Sequence, residues 1–178
     1  MLIALSGLPA TGKTTIAREL ARELAAVYLR IDSIEQSIRD AGRAVEGEGY
    51  SVAYAVAEDN LRLGRIVVAD CVNPWPLTRN DWRAVADRSG VPVLDVEIVC
   101  SDAQELRRRV ETCAADIPGH KLPTWQDVVE RDYSAWDTQR TVIDTARLSV
   151  EQSVRAILAK LPPDHARGVH KLPKDSSS

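Results

Sequence analysis

An α/β fold, built on a parallel sheet covered on both faces by helices, is predicted by two features of the chain. Apolar runs of strand length alternate with longer amphipathic stretches, the pattern of strands buried on both sides and joined by helical crossovers. The first apolar run, 2–6, also leads through a glycine-bearing turn directly into an amphipathic helix.

Five strands are expected in order, at 2–6, 27–31, 66–69, 93–99 and 141–144. The first helix, 14–25, places Ile16, Ala17, Leu20, Ala21 and Leu24 along one face and Arg18, Arg22 and Glu23 on the other, the division expected of a helix packed on a sheet. A second begins near Ser33, a third spans 50–63 and stops at Gly64, and a fourth spans 80–89 and stops at Gly90; glycine is the usual C-terminal stop. Later helices are expected at 102–114, 124–133 and 150–161. Right-handed crossovers put the C-terminal ends of parallel strands on one edge, where ligand chemistry is expected. The domain is read as 1–161 and the polar, proline-bearing stretch 162–178 as a disordered tail. No internal repeat is present.

Composition narrows the function classes. With 178 residues, 44% hydrophobic and 28% charged, the chain supports one sizeable core and one soluble domain. A formal net charge of −3 gives no global attraction to nucleic acid or anionic lipid. Cys71, Cys100 and Cys113 are odd in number and lack metal-ligand spacing, which argues for reduced thiols, no disulfide framework and a cytoplasmic location. No basic segment precedes the first apolar run, and no apolar stretch approaches the roughly 20 residues of a membrane span. Export and membrane insertion are therefore not expected.

The chemistry lies in "LSGLPATGKTTIA". Gly7, Gly12, Lys13 and Thr14 fit G-x-x-x-x-G-K-[ST] between a strand and a helix, the context that gives this pattern its meaning. Such a loop turns its backbone N–H groups toward phosphate oxygens, and the new helix adds its positive end. Gly7, Leu8, Pro9, Ala10, Thr11, Gly12, Lys13, Thr14 and Thr15 are thus the expected nucleotide cradle. Lys13 would reach the terminal phosphates and the Thr14 hydroxyl would face Mg2+.

Around this motif the chain resembles the small single-domain P-loop kinases: gluconate kinase, chloramphenicol phosphotransferase, zeta-toxin-like kinases and the kinase domain of polynucleotide kinase. Such chains are often named AAA-family ATPases. The resemblance covers about residues 2–161. It implies the three-layer P-loop NTPase fold with a five-stranded parallel sheet in the order 2-3-1-4-5, a helical lid over about 102–136, and transfer of the ATP γ-phosphoryl group to an acceptor.

Further residues match that pattern. Asp32 follows the second strand, where the resembling kinases orient or deprotonate the acceptor hydroxyl; an aspartate there also serves as a helix cap. Asp70 closes "RIVVAD" at the position that holds Mg2+. In "CVNPWPLTR" Asn73 and Arg79 are candidate acceptor or phosphate ligands. Arg107, Arg108 and Arg109 cannot all face one ligand, and Arg109 is taken as the catalytic lid arginine that also touches nucleotide. Related lids carry another arginine one turn later, where this chain has Cys113, read as a small buried apolar residue on the face of Leu106 and Val110. His120, Lys121, Trp125, Tyr133 and Trp136 would wall an acceptor or nucleotide pocket. By resemblance Thr145 and Arg147 lie near the adenine.

The expected activity is therefore an ATP- and Mg2+-dependent kinase acting on a hydroxyl of a small molecule. A 5'-hydroxyl polynucleotide kinase and a nucleotide-dependent ATPase switch are the competing readings; the first lacks a basic groove, the second an N-K-x-D motif or further domains. Partners are ATP and a small acceptor, with no membrane and no nucleic acid beyond a 5'-end substrate. The chain would be a monomer or homodimer, since no heptad or exposed apolar stripe is evident.

Overall fold

The structure, a computed structural model, describes residues 1–163. The expected tail falls almost wholly outside those residues. In chain order the elements are β1 (Leu2–Ser6), α1 (Lys13–Glu23), β2 (Val27–Arg30), α2 (Ile31–Asp40), α3 (Glu48–Arg62), β3 (Val67–Asp70), α4 (Pro76–Arg88), β4 (Val93–Val99), α5 (Ala103–Thr112), α6 (Trp125–Val129), β5 (Thr141–Asp144) and α7 (Val150–Leu158). The strands form one all-parallel sheet ordered β2-β3-β1-β4-β5, as the resemblance implied. No described helix is long and apolar enough to cross a membrane.

β1 is central, and its Leu2, Ile3, Ala4 and Leu5 are all fully buried. Successive side chains point to opposite faces. Ile3 and Leu5 pack with Ile16 and Leu20 of α1 and Val154 and Ile157 of α7. Leu2 and Ala4 pack with Ala53, Ala57 and Leu61 of α3 and Trp82, Val85 and Ala86 of α4. Tyr54 meets the Trp82 ring edge-on, with centroids 4.7 Å apart, a favourable aromatic geometry.

Several boundaries differ from expectation. α2 begins at Ile31 without an intervening loop, so Asp32 lies in its first turn and Arg30, not Asp32, is the residue before the helix. α4 begins at Pro76 rather than at 80, because proline at the first helical position brings a preset φ and lacks only an N–H that would be unpaired there. α6 is one turn, closed by a Thr124–Asp127 capping box, and the chain after it leaves the helix well before 133. Cys113 is exposed, not buried: α5 ends at Thr112, so the helical spacing from Leu106 and Val110 no longer governs it.

Gly7 takes φ +135°, and a Cβ there would stand 2.1 Å from the Ile98 carbonyl oxygen. The loop leaves β1 against the backbone of β4, an approach only glycine permits. Gly7→Ala is expected to lower unfolding stability by about 2–3 kcal/mol, measured by urea denaturation; wild-type stability would contradict this close packing.

Candidate functional site

The C-terminal ends of β1, β2 and β3 open onto a cavity of about 900 Å³. The phosphate loop forms its floor. Ala10 and Gly12 sit at positive φ, and the Ile16 N–H donates to Gly12 O at 3.2 Å, starting α1 where the loop ends. Lys13 is buried, and its Nζ donates to Leu8 O at 2.8 Å across the loop. Thr11 Oγ1 also donates to Leu8 O. Burial pushes the Lys13 ammonium down from its ordinary value, opposed by Asp70 and Asp32.

Asp70 ends β3 and is buried beside Arg30 of β2, its partner in strand register. It accepts a 2.8 Å hydrogen bond from Tyr28 Oη, and Arg30 Nε lies 3.9 Å from it. Burial and the neighbouring Asp70 charge raise the Tyr28 pKa, so the hydroxyl stays a donor at neutral pH. Asp32 is half-exposed on the cavity wall, 3.6 Å from Arg30 Nη2. Arg30 Nη1 and Arg18 Nη2 both donate to Asp116 Oδ2, at 2.8 and 2.6 Å. These two arginines, Arg30 first, hold Asp116 down at about 2, so it is ionised throughout the neutral range.

At the opposite end of the cavity Arg109 of α5 lines the wall and is anchored on the turn after β5. Arg109 donates from Nη1 to Thr145 Oγ1 at 2.9 Å and from Nη2 to Thr145 O at 3.1 Å, while Nε pairs with Glu105 at 2.8 Å. Thr145 Oγ1 in turn donates to Thr11 O at 2.8 Å. Arg109 is thereby fixed above the phosphate loop. Arg107 and Arg108 are exposed and pair with Glu111 and Glu105. A smaller cavity of about 450 Å³ adjoins this end, between Thr15, Arg109, Thr145 and Leu148. Altogether the larger cavity is lined by seven cationic side chains, Lys13, Arg18, Arg30, Arg39, Arg109, Lys121 and Arg131, against the carboxylates of Asp32, Glu35, Asp70, Asp116 and Asp127.

With this geometry in place, comparison with known proteins is informative. The family described as an AAA domain matches residues 2–132, well over half of the chain. The chain belongs to that family. This AAA domain is 26% identical over 166 residues to a probable adenylyl-sulfate kinase of Aeropyrum pernix, covering 86% of this chain and 88% of that one. Its fold matches a putative kinase from Chloroflexus aurantiacus with a TM-score of 0.68 and 18% identity, covering 90% and 98% of the two chains. Chaetomium thermophilum Kti12 in complex with ADP-AlF3 matches with a TM-score of 0.65 and 23% identity, covering 89% and 98%. The Mycobacterium tuberculosis APS kinase CysC in complex with AMPPNP and APS matches with 0.61 and 14%, covering 89% and 95%. The fold is thus that of the P-loop kinases, in line with the resemblance carried by the loop.

Not every expected residue reaches the cavity of this AAA domain. Arg79 is fully buried and donates to the carbonyls of Asn73, Pro74, Ser134 and Ala135 at 3.1, 3.0, 2.7 and 3.2 Å. Its guanidinium stacks on Trp136 and Tyr133, 4.2 and 5.1 Å from the ring centroids. Arg79, Tyr133 and Trp136 therefore tie the stretch after α6 to α4 and are not cavity residues. Asn73 is buried beneath the loop, donating to Ser6 Oγ at 3.0 Å. Arg147 is 80% exposed and pairs with Asp144, and Trp125 starts α6 away from the cavity. His120 and Lys121 do line it.

Sequence reading missed Tyr28, Arg30, Arg18 and Asp116. Arg30 carried a signal, a charge closing the apolar run "VYLR" just before Asp32. Asp116 had none, since it lies in aperiodic chain after α5.

Proposed function

We propose that this protein is an ATP- and Mg2+-dependent kinase that transfers the γ-phosphoryl group to a hydroxyl of a small-molecule acceptor. The observation that carries this reading is the single charged cavity joining the phosphate loop, Asp32, Asp70 and Arg109. Motors and switches need the loop; transfer to a second substrate also needs space beside it, with a carboxylate in that space.

Lys13 and the loop N–H groups hold the β- and γ-phosphates, and Arg109 adds positive charge from the lid side. Among the described residues no three His, Cys, Asp or Glu side chains gather as a metal cluster. Mg2+ keeps waters and phosphate oxygens and takes few protein ligands; Thr14 and Asp70 would hold it here. When bound, the ion would neutralise charge on the phosphates. Asp32 receives the acceptor hydroxyl: the acceptor oxygen bonds to the γ-phosphorus, the bond to the β-bridging oxygen breaks, ADP leaves, and the hydroxyl proton passes to the carboxylate.

Asp32→Ala is expected to lower transfer about 10^2- to 10^4-fold while leaving binding of a nonhydrolysable ATP analogue close to wild type. Labelled ATP with an acceptor panel checks both the reading and the role. Label that enters only inorganic phosphate, and only with a macromolecular partner, would replace the kinase by a switch; full transfer in the variant would remove Asp32 from the reaction.

A further inference from the structure

The transfer scheme leaves Arg18, Arg30 and Asp116 without a task, although all three line the cavity. Arg30 is 9% exposed. A guanidinium so enclosed is tolerated only when its charge and donors are answered. Its Nη1 is answered by Asp116, from the irregular stretch after α5, and Arg18 converges on the same carboxylate oxygen. Arg30 Nε is buried and has no hydrogen-bond partner among the described residues; Asp32 and Asp70 stand at 3.6 and 3.9 Å from the guanidinium. The two guanidiniums thus share a single carboxylate oxygen, Asp116 Oδ2, as their hydrogen-bond acceptor among the described residues.

We infer that Arg18 and Arg30 form a subsite for an anionic group of the acceptor, a phosphate, sulfate or carboxylate carried near its reactive hydroxyl, and that Asp116 is an internal stand-in which the acceptor displaces. The inference rests on the kinase reading and narrows its substrate class. Arg30 ends β2 and Arg109 faces the turn after β5, and these are opposite edges of the sheet. The subsite therefore lies on the Asp32 side, away from Thr145. Charge supports the exchange. Arg18 and Arg30 share the Asp116 carboxylate at 2.6 and 2.8 Å, so withdrawing Asp116 takes one negative charge away from the two guanidiniums. An anionic acceptor restores that charge, and a forked guanidinium suits an oxyanion. A neutral polyol would leave Arg30 underpaired.

The test is calorimetric titration of sodium sulfate, sodium phosphate and sodium acetate, in separate arms, into the full chain saturated with a nonhydrolysable ATP analogue. The analogue fills the phosphate loop, so anion heat reports the second site, and the three arms rank the anion type. One anion is expected to bind wild type. Asp116→Ala should bind it about tenfold more tightly, because the competing carboxylate no longer holds the pair. Arg18→Met should bind it about tenfold more weakly. Both sites are substantially exposed, so neither change removes core packing. No anion binding in wild type and Asp116→Ala alike, equal affinity in the two, or an Arg18→Met titration that matches wild type would each overturn the inference. The analogue's own isotherm and label transfer judge the kinase reading separately, so either can fail alone.

Discussion

Lys13→Ala is expected to reduce phosphoryl transfer about 10^2- to 10^3-fold without unfolding the protein. The ammonium is buried at the base of the cavity and reaches across the loop to Leu8 O, so it is held by the backbone that must also hold the phosphates. A donor fixed beforehand where charge develops needs no reorganisation during the reaction, and in a site with little water its interaction is strong. Stability runs the other way. Burial lowers the Lys13 pKa, so the charged form is disfavoured in the folded state relative to the unfolded one. Below the folded pKa this group therefore opposes folding, and deleting it costs little beyond packing. Labelled-ATP transfer read alongside a thermal melt separates the two effects. A variant that melts like wild type and still transfers phosphate would remove Lys13 from the mechanism and weaken the kinase reading with it.

The phosphate loop was legible in the sequence because its function is local: a strand, a turn with two glycines, a lysine and a helix are consecutive, and each imposes its own spacing. The sheet order was legible through resemblance and the strands through apolar runs. What stayed hidden was produced by pairing between distant segments. Arg30 meets Asp70 only because β2 and β3 align in that register, and Asp116 meets Arg18 and Arg30 across 98 and 86 residues of chain. Asp32 lines the cavity but does not cap α2, because that helix follows β2 without a loop. Spacing along α5 does not separate its three arginines; the fold does, since Arg109 alone donates to Thr145 while Arg107 and Arg108 are exposed. Arg79 lies outside the cavity for an equally physical reason: an arginine near a helix start reads as solvated or anion-facing, and nothing in one sequence announces that a distant loop will fold its carbonyls onto it.

Arg79→Ala should accordingly act on stability and not on chemistry. The side chain answers four carbonyl oxygens, two beside α4 and two in the stretch after α6. Unpaired buried acceptors cost about 1–3 kcal/mol each when water cannot reach them. The substitution also vacates the space between Tyr133 and Trp136, whose rings the guanidinium covers. Partial relaxation lowers the sum, and a loss of about 3–5 kcal/mol is expected, a fall of roughly 6–20 °C in Tm for a domain of this size. Arg79→Lys should recover only part of it, since an ammonium lacks the planar fork that spans both segments. Neighbouring ties soften the damage: Trp75 Nε1 donates to Asp132 at 2.8 Å and Ser134 N to Pro74 O at 2.9 Å, so the stretch stays attached. At a temperature where the variant is folded, transfer should remain near wild type, because Arg79 lines no part of the cavity. A variant that melts like wild type but loses transfer would instead make Arg79 a ligand of the reacting phosphate, and would require α4 to move toward the loop.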